Sequence, residues 1–143
     1  MDGGDVEALL EAGANREVLA YLSEHRPSCH SDAGSALMEA AEGCGEWIAF
    51  SPSFAQCRYV ALITRRRIFA LGLGQRSACF RLPGALRGAA LVTGATPASE
   101  IGNDWVSFSL FEAGRPAPDL PLWTRRAYAA AREPGAVPEA ASS

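Results

Sequence analysis

The chain has 143 residues, of which 48% are hydrophobic and 20% charged, and its formal net charge is −3. This length indicates one domain, and the composition is ordinary for a soluble globular protein. No apolar run reaches the roughly 18–20 residues of a membrane span, and the acidic start Met1–Asp5 lacks the apolar segment of a secretory signal. We therefore expect a cytoplasmic protein with reduced cysteines and no membrane partner.

Three short helices are predicted before residue 46. They are residues 5–13, a helix capped by Asn15, and a helix capped by Ser31 or Asp32 that ends at Gly43. Residues 1–31 are predicted to form a helical extension of the domain that follows.

The segment Cys57–Leu82 organises the chain. A short strand is predicted at Glu46–Phe50, and three strands follow at Cys57–Thr64, Arg67–Leu73 and Arg76–Leu82. Their short connections require antiparallel pairing. Both faces of these strands are rather apolar, which predicts a sheet covered on one face and partly covered on the other. Neither Arg65 nor Arg66 favours a positive φ, so a longer loop is predicted there, whereas Gly74-Gln75 is suitable turn chemistry.

Helix, strand and helix alternate in the last third of the chain. A helix is predicted from Leu82-Pro83-Gly84 to Gly94, then a loop over Ala95–Ile101, a strand at Trp105–Phe111 and a helix capped by Asp119. Trp123 and Ala127 are predicted to face the core, together with Trp105. Residues 133–143 are predicted to be a disordered tail.

This order predicts an α+β fold: a two-layer domain with a curved antiparallel sheet, helices packed on one face, and extra N-terminal helices. The domain itself is predicted to span residues 32–132.

Four short motifs resemble the MmcQ/YjbR-like family of small bacterial domains. They are Arg67-Ile68-Phe69-Ala70, Phe80-Arg81-Leu82-Pro83, Gly102-Asn103-Asp104-Trp105-Val106, and Trp123 followed by Ala127-Tyr128. The resemblance covers about residues 34–132. It implies a curved antiparallel sheet with helices on one side, related to TfoX N-terminal and secretion-chaperone-like domains. Most members of the family have no established activity, and a DNA-binding role has been proposed for some.

Charge is segregated along the chain. Residues 1–46 carry ten acidic residues and two arginines, whereas residues 47–97 carry seven arginines and no acidic residue. All 13 basic residues are arginine, which together with abundant alanine and glycine indicates a GC-rich bacterial genome. The segregation has two interpretations: acidic helices that neutralise a basic sheet, or a face that binds a polyanion.

The candidate anion-binding or nucleic-acid-binding residues are five arginines of the central segment: Arg65, Arg66, Arg67, Arg76 and Arg81. A hairpin carrying them could grip phosphates, with Trp105 or Tyr59 as a stacking face. Against this, the pI of about 5.4 lies far below the basic range typical of nucleic-acid-binding domains.

No catalytic, metal or cofactor site is predicted. His25, Cys29, His30 and Cys44 lack the spacing of a zinc site, and Cys57 and Cys79 are expected to pack as small apolar residues. Gly72-Leu73-Gly74 lacks the spacing of a phosphate loop.

Three functions remain open at this point. The first is a non-catalytic binding or interaction module that engages a protein partner or a second copy, through a sheet edge or the N-terminal helices. The second is a DNA-binding module that uses the hairpin Arg65–Arg67. The third is an enzyme with a site that no motif reveals.

Overall fold

The computed structural model describes residues 10, 15–25, 27–51, 59–74, 76–111, 113–114 and 117–133. Four α-helices and six strands lie in these residues. The helices are α1 (Arg16–His25), α2 (Ser31–Ala40), α3 (Ala85–Val92) and α4 (Leu120–Arg132), and a 3-10 turn, Ala41–Gly43, follows α2. The strands are β1 (Ile48–Phe50), β2 (Val60–Thr64), β3 (Arg67–Leu73), β4 (Ser77–Arg81), β5 (Thr96–Pro97) and β6 (Trp105–Ser109). None of the helices in the described ranges is long and apolar enough to cross a membrane.

The six strands form one open antiparallel sheet in the order β1-β2-β3-β4-β6-β5. Helices pack on this sheet, which confirms the predicted α+β fold. The short strand β5 was not predicted: it lies in the segment expected to be a loop and pairs with β6 through Thr96 and Pro97. Two residues give too little alternation to be recognised in a sequence. The predicted helix at residues 5–13 and Cys57 lie outside the described residues, except for Leu10.

A β-bulge in β3 changes which side chains share a face. Leu62 pairs with Ala70 and the next pair is Ile63 with Ile68, so Phe69 has no opposite residue on β2. Phe69 and Ala70 therefore both belong to the larger core, whereas Ile68 belongs to the core on the other face. A strictly alternating strand would place Phe69 and Ala70 on opposite faces, but a bulge inserts one residue into a period of two.

The larger core lies between the sheet and helices α2, α3 and α4. Leu37, Phe69 and Phe80 are fully buried there, and Trp123 and Ala127 of α4 pack with them. The aromatic rings of Phe80, Phe108 and Trp123 follow one another at centroid distances of 6.0 Å and 5.6 Å. The predicted core positions of α4 are confirmed.

Helix α1 covers the opposite face of the sheet. Its buried residues Val18 and Leu22 belong to a second core with Leu71, Cys79 and Trp105. The N-terminal segment thus provides the cover that the apolar second face of the strands required, and Trp105 is a core residue as predicted.

One predicted helix cap is confirmed and one is wrong. Asp119 caps α4, since its Oδ1 accepts a hydrogen bond from the backbone N–H of Leu122 at 3.1 Å. Helix α2 is capped by His30, whose Nδ1 accepts from the N–H of Asp32 at 3.1 Å, and not by Ser31 or Asp32. An imidazole nitrogen can accept this bond as a carboxylate would, but its low frequency as a cap hides it in a sequence.

Candidate functional site

The turn between β2 and β3 consists of only two residues, Arg65 and Arg66. Thr64 pairs directly with Arg67, and the φ angles of Arg65 and Arg66 are +48° and +63°. Two successive positive φ angles are the geometry of a type I′ hairpin, which favours Asn-Gly. The prediction of a longer loop is therefore wrong, and contacts from distant parts of the chain explain why.

Asn15, which is distant in sequence, forms hydrogen bonds with the backbone of this turn. Its side chain is only 1% exposed. Its Nδ2 donates to the carbonyl oxygen of Arg66 at 2.9 Å, and its Oδ1 accepts from the backbone N–H of Ile68 at 2.8 Å. One amide thus satisfies two backbone groups beside the turn. The sequence interpretation of Asn15 as a helix cap missed this contact because the partner lies 51 residues away.

Two hairpin arginines bind the C-terminal end of α4. The Arg65 guanidinium donates to the carbonyl oxygen of Arg132 at 3.0 Å, and that of Arg67 donates to the carbonyl oxygens of Ala131 at 2.7 Å and Glu133 at 3.2 Å. The last carbonyls of a helix have no partner within the helix and carry its negative dipole end. The hairpin and α4 are therefore joined by charge-assisted hydrogen bonds.

The side chain of Arg132, on α4, also contacts the β2–β3 hairpin. Its Nη1 donates to Thr64 Oγ1 at 2.8 Å and to the carbonyl oxygen of Glu46 at 3.5 Å, and its guanidinium lies 5.2 Å from the centre of the Tyr128 ring. Arg132 is not among the candidate site residues predicted from the sequence. Its arrival beside Arg65 depends on how α4 crosses the sheet, for which the sequence carries no local signal.

These residues line an open groove of about 540 Å³ at the outer edge of the sheet. The groove is lined by Gly45, Glu46, Trp47, Ile48, Ile63, Thr64, Arg65, Arg66 and Arg132. Arg65 and Arg66 are exposed, and Ile48 of the edge strand β1 is 47% exposed. The groove thus combines three guanidinium groups, one carboxylate and an apolar edge.

The five arginines predicted as one site lie in different places. Only Arg65 and Arg66 line the groove, while Arg67 points to the end of α4. Arg76 lies at the other end of β3, where it lines a separate cavity of about 280 Å³ with His30, Asp32 and Phe111. Arg81 is 9% exposed and has a guanidinium nitrogen 3.9 Å from a carboxylate oxygen of Asp104.

In the part of the chain that the structure describes, no acidic side chain of the N-terminal helices forms a salt bridge with an arginine of the hairpin. The arginine salt bridge found there joins Arg81 to Asp104. The hydrogen bonds of Arg65, Arg66 and Arg67 go instead to backbone carbonyl groups, that of Arg66 to Leu10 at 3.3 Å. Asp2, Asp5, Glu7 and Glu11 lie outside the described residues, so the neutralisation hypothesis stays a prediction for them.

Within the described residues, His25, Cys29 and Cys79 have packing roles. His25 stacks on Tyr21 with ring centres 4.4 Å apart, and the buried Cys29 thiol donates to the carbonyl oxygen of His30 at 3.3 Å. Burial raises the pKa of the Cys79 thiol to about 12, and a hydrogen bond with Ser107 only partly opposes this effect. Burial also raises the pKa of Cys44. Such thiols are weak nucleophiles at neutral pH. Within the described ranges, no three His, Cys, Asp or Glu side chains are grouped to hold a metal ion.

Comparison with known proteins assigns no relative: no family model, curated protein or solved structure matches the chain. The resemblance to MmcQ/YjbR-like domains therefore stays a prediction, and function has to be inferred from the groove itself.

Proposed function

We propose that the chain is a binding module that engages a protein partner through the arginine-lined groove. The observation that carries this proposal is the convergence of Arg65, Arg66 and Arg132, which come from two different elements, on an open groove beside an exposed edge strand. Concave sites with a few convergent polar groups are where proteins most often bind ligands.

The guanidinium groups of the groove keep capacity for a ligand. Arg65 and Arg66 each donate one hydrogen bond to a backbone carbonyl, and both side chains are exposed. A guanidinium carries several N–H donors in a planar fork that matches a carboxylate or phosphate. Because the existing bonds fix one side of each fork, the remaining donors are oriented before a ligand arrives, which lowers the entropic cost of binding.

The groove fits an acidic peptide segment better than a duplex. Its three arginines lie beside the carboxylate of Glu46 and the apolar side chains of Trp47 and Ile48, in a protein with a net charge of −3. Duplex binding relies on many phosphate contacts spread over a basic surface. Arg81, which would have to join such a surface, has its charge beside Asp104. The partner we propose therefore presents carboxylates and apolar side chains together.

Nucleic acid is the second candidate function, favoured by the exposure of Arg65 and Arg66 at the tip of a hairpin. One experiment separates the two candidates. Fluorescence anisotropy is measured with a labelled ten-residue oligoglutamate and with a labelled random-sequence duplex across a salt series. The variants are Arg65→Gln/Arg66→Gln and, as a matched control, Arg76→Gln, which removes an exposed arginine at the opposite end of β3.

We expect oligoglutamate to bind the wild type weakly at low salt, and the double variant to lose at least about tenfold in affinity, which corresponds to about 1.4 kcal/mol. The Arg76→Gln control should bind like the wild type. Duplex binding that weakens steeply with salt and is lost in the double variant would move the function to nucleic acid. Failure of both probes to bind at low salt would overturn the proposal.

A further inference from the structure

The two edges of the sheet differ in how they present their backbone. At one edge, β5 has only two residues and contains Pro97, which has no N–H to offer an added strand. At the other edge, β1 pairs with β2 on one side, and Ile48 and Ala49 are exposed. The residues Ile48–Phe50 include no proline and no charge. Within the described residues, β1 is therefore the edge open to another strand.

The groove lies at one particular end of β1. Ile48 pairs with Ile63 and Phe50 with Ala61, so β1 starts beside the point where β2 ends. Arg65 and Arg66 follow that end of β2, and Arg132 is hydrogen-bonded to Thr64 there. The three guanidinium groups thus line the groove at the end of the sheet where β1 starts.

This placement selects a direction for the added strand. A strand that pairs antiparallel with β1 finishes where β1 starts, so its C-terminal end comes to the arginines. A parallel strand brings its N-terminal end to the same place, and a free amino group there would be repelled by three guanidinium groups. A carboxylate would be bound by charge-assisted and bidentate hydrogen bonds.

We propose that β1 accepts an extended peptide, antiparallel to it, whose free C-terminal carboxylate lies among Arg65, Arg66 and Arg132. Strand addition to a sheet edge and capture of a terminal carboxylate are both recurrent modes of peptide recognition. This inference rests on the proposed function, since it uses the same groove, and it adds the form of the partner, its direction and the group that it must carry.

The side chains of the peptide would be read on one face. Ile48 is half exposed and lies in the groove, so an apolar side chain of the added strand would pack against it. Because β1 has only three residues, few backbone hydrogen bonds are available. We expect dissociation constants of about 10–100 μM, which correspond to roughly −5 to −7 kcal/mol.

The probe is a library of random heptapeptides displayed with free C-termini, and its control is the same library displayed with free N-termini. Both are selected on the full chain. We expect enrichment only from the first library. An enriched peptide is then synthesised as the acid and as the C-terminal amide, and the amide should bind at least about tenfold more weakly, about 1.4 kcal/mol. Both forms are measured on the wild type, so the comparison needs no variant.

Two pairs of variants locate the contact. Arg65→Gln/Arg66→Gln should abolish the preference for the acid over the amide, whereas Arg76→Gln should keep it. Ile48→Glu should weaken binding at the edge, whereas Val92→Glu makes the same kind of change at an exposed position of α3 and should not. Amide hydrogen exchange at Ile48–Phe50 should slow when the peptide binds, because the added strand protects an edge backbone.

The outcomes that overturn this inference differ from those that overturn the proposed function. If neither library is enriched while oligoglutamate still binds the groove, strand addition is wrong and the binding module stands. If the peptide acid and its amide bind equally well, the proposed capture of a C-terminal carboxylate is wrong, and the binding module stands. If oligoglutamate also fails, both proposals are wrong. A dimer seen by sedimentation that blocks peptides and survives Arg65→Gln/Arg66→Gln would assign the edge to a second copy, and displacement of the peptide by random duplex would assign the groove to nucleic acid.

Discussion

The two turns at the ends of β3 both contain residues with a positive φ, but they stabilise this backbone conformation in different ways. The turn before β3 has Arg65 and Arg66 at positive φ, whereas the turn after β3 begins with Gly74, at a φ of +61°. Glycine adopts this conformation at no steric cost, and arginine does not. Local sequence is therefore sufficient for the second turn, and distant contacts are necessary for the first.

The N-terminal part of the chain holds both turns, but by different groups. At the first turn, the side chain of Asn15 bonds the backbone of Arg66 and Ile68. At the second turn, backbone bonds join Gly74 to Ser28 and to His30, at 2.5 Å and 2.7 Å. The strained turn is thus held by side-chain hydrogen bonds, of which those of Asn15 are the buried ones, whereas the second turn combines the backbone freedom of glycine with backbone hydrogen bonds. The arginine turn is also the one that lines the groove.

The sharpest way to break this comparison is to remove the amide of Asn15. Asn15→Ala leaves the carbonyl of Arg66 and the N–H of Ile68 without their buried partner, and each such loss costs about 1–3 kcal/mol. We expect the free energy of unfolding to fall by about 2–4 kcal/mol in urea denaturation. Asn103→Ala, at an exposed turn position, is the control and should change it by less than about 0.5 kcal/mol. If Asn15→Ala lowers the free energy of unfolding by less than about 1 kcal/mol, the turn does not depend on the hydrogen bonds of Asn15.

Gly74→Ala tests the other turn. A Cβ at Gly74 meets no atom within 4 Å, so the cost of the substitution is conformational. A non-glycine residue in the left-handed region costs about 1–2 kcal/mol, and we expect the free energy of unfolding to fall by that amount. Gly43→Ala is the matched control, because Gly43 also has open space around it but no positive φ. Equal effects at the two glycines would contradict the role given to Gly74.

The contrast between the turns also explains what the sequence could and could not predict. Alternation in the strands, the Asp119 cap and the apolar stripe of α4 are local patterns, and each predicted its element. The tight turn at Arg65-Arg66 is held by partners far along the chain, so local propensity predicted the wrong geometry there. The bulge at Phe69 breaks the period of two within the β2–β3 pair, and no local pattern marked it.

The candidate site was predictable only in part. Charge clustering pointed to Arg65 and Arg66, which line the groove, but the same criterion included Arg76 and Arg81, which lie elsewhere. Arg132 was missed as a site residue because only the crossing of α4 over the sheet brings it to the groove. A pattern of like charges shows that arginines are near one another in the chain, whereas a site requires that their guanidinium groups meet in space.

The smallest expected change in stability comes from replacing the arginine turn by the turn chemistry that its geometry favours. Arg65→Asn/Arg66→Gly relieves the conformational strain but loses the hydrogen bonds to Arg132 and Leu10. These effects oppose each other, so we expect the free energy of unfolding to stay within about 1 kcal/mol of the wild type. Arg65→Ala/Arg66→Ala loses the same bonds and keeps the strain, and should be less stable than the Asn-Gly variant by about 1–2 kcal/mol.

In the Asn-Gly and Ala-Ala double variants, the loss of peptide binding should not follow the loss of stability. Both double variants lack the two guanidinium groups, so both should lose the preference for a peptide acid over its amide, although only one is destabilised. Such a result would mean that the arginines at this turn are kept for what they bind, since Asn-Gly would build the hairpin equally well. If instead the Asn-Gly variant is destabilised as strongly as the Ala-Ala variant, the bonds to α4 and Leu10 outweigh the strain. The arginines would then be explained by their hydrogen bonds to α4 and Leu10, which stabilise the hairpin. If either variant still binds the peptide with a preference for the acid, Arg65 and Arg66 do not contribute to the binding site.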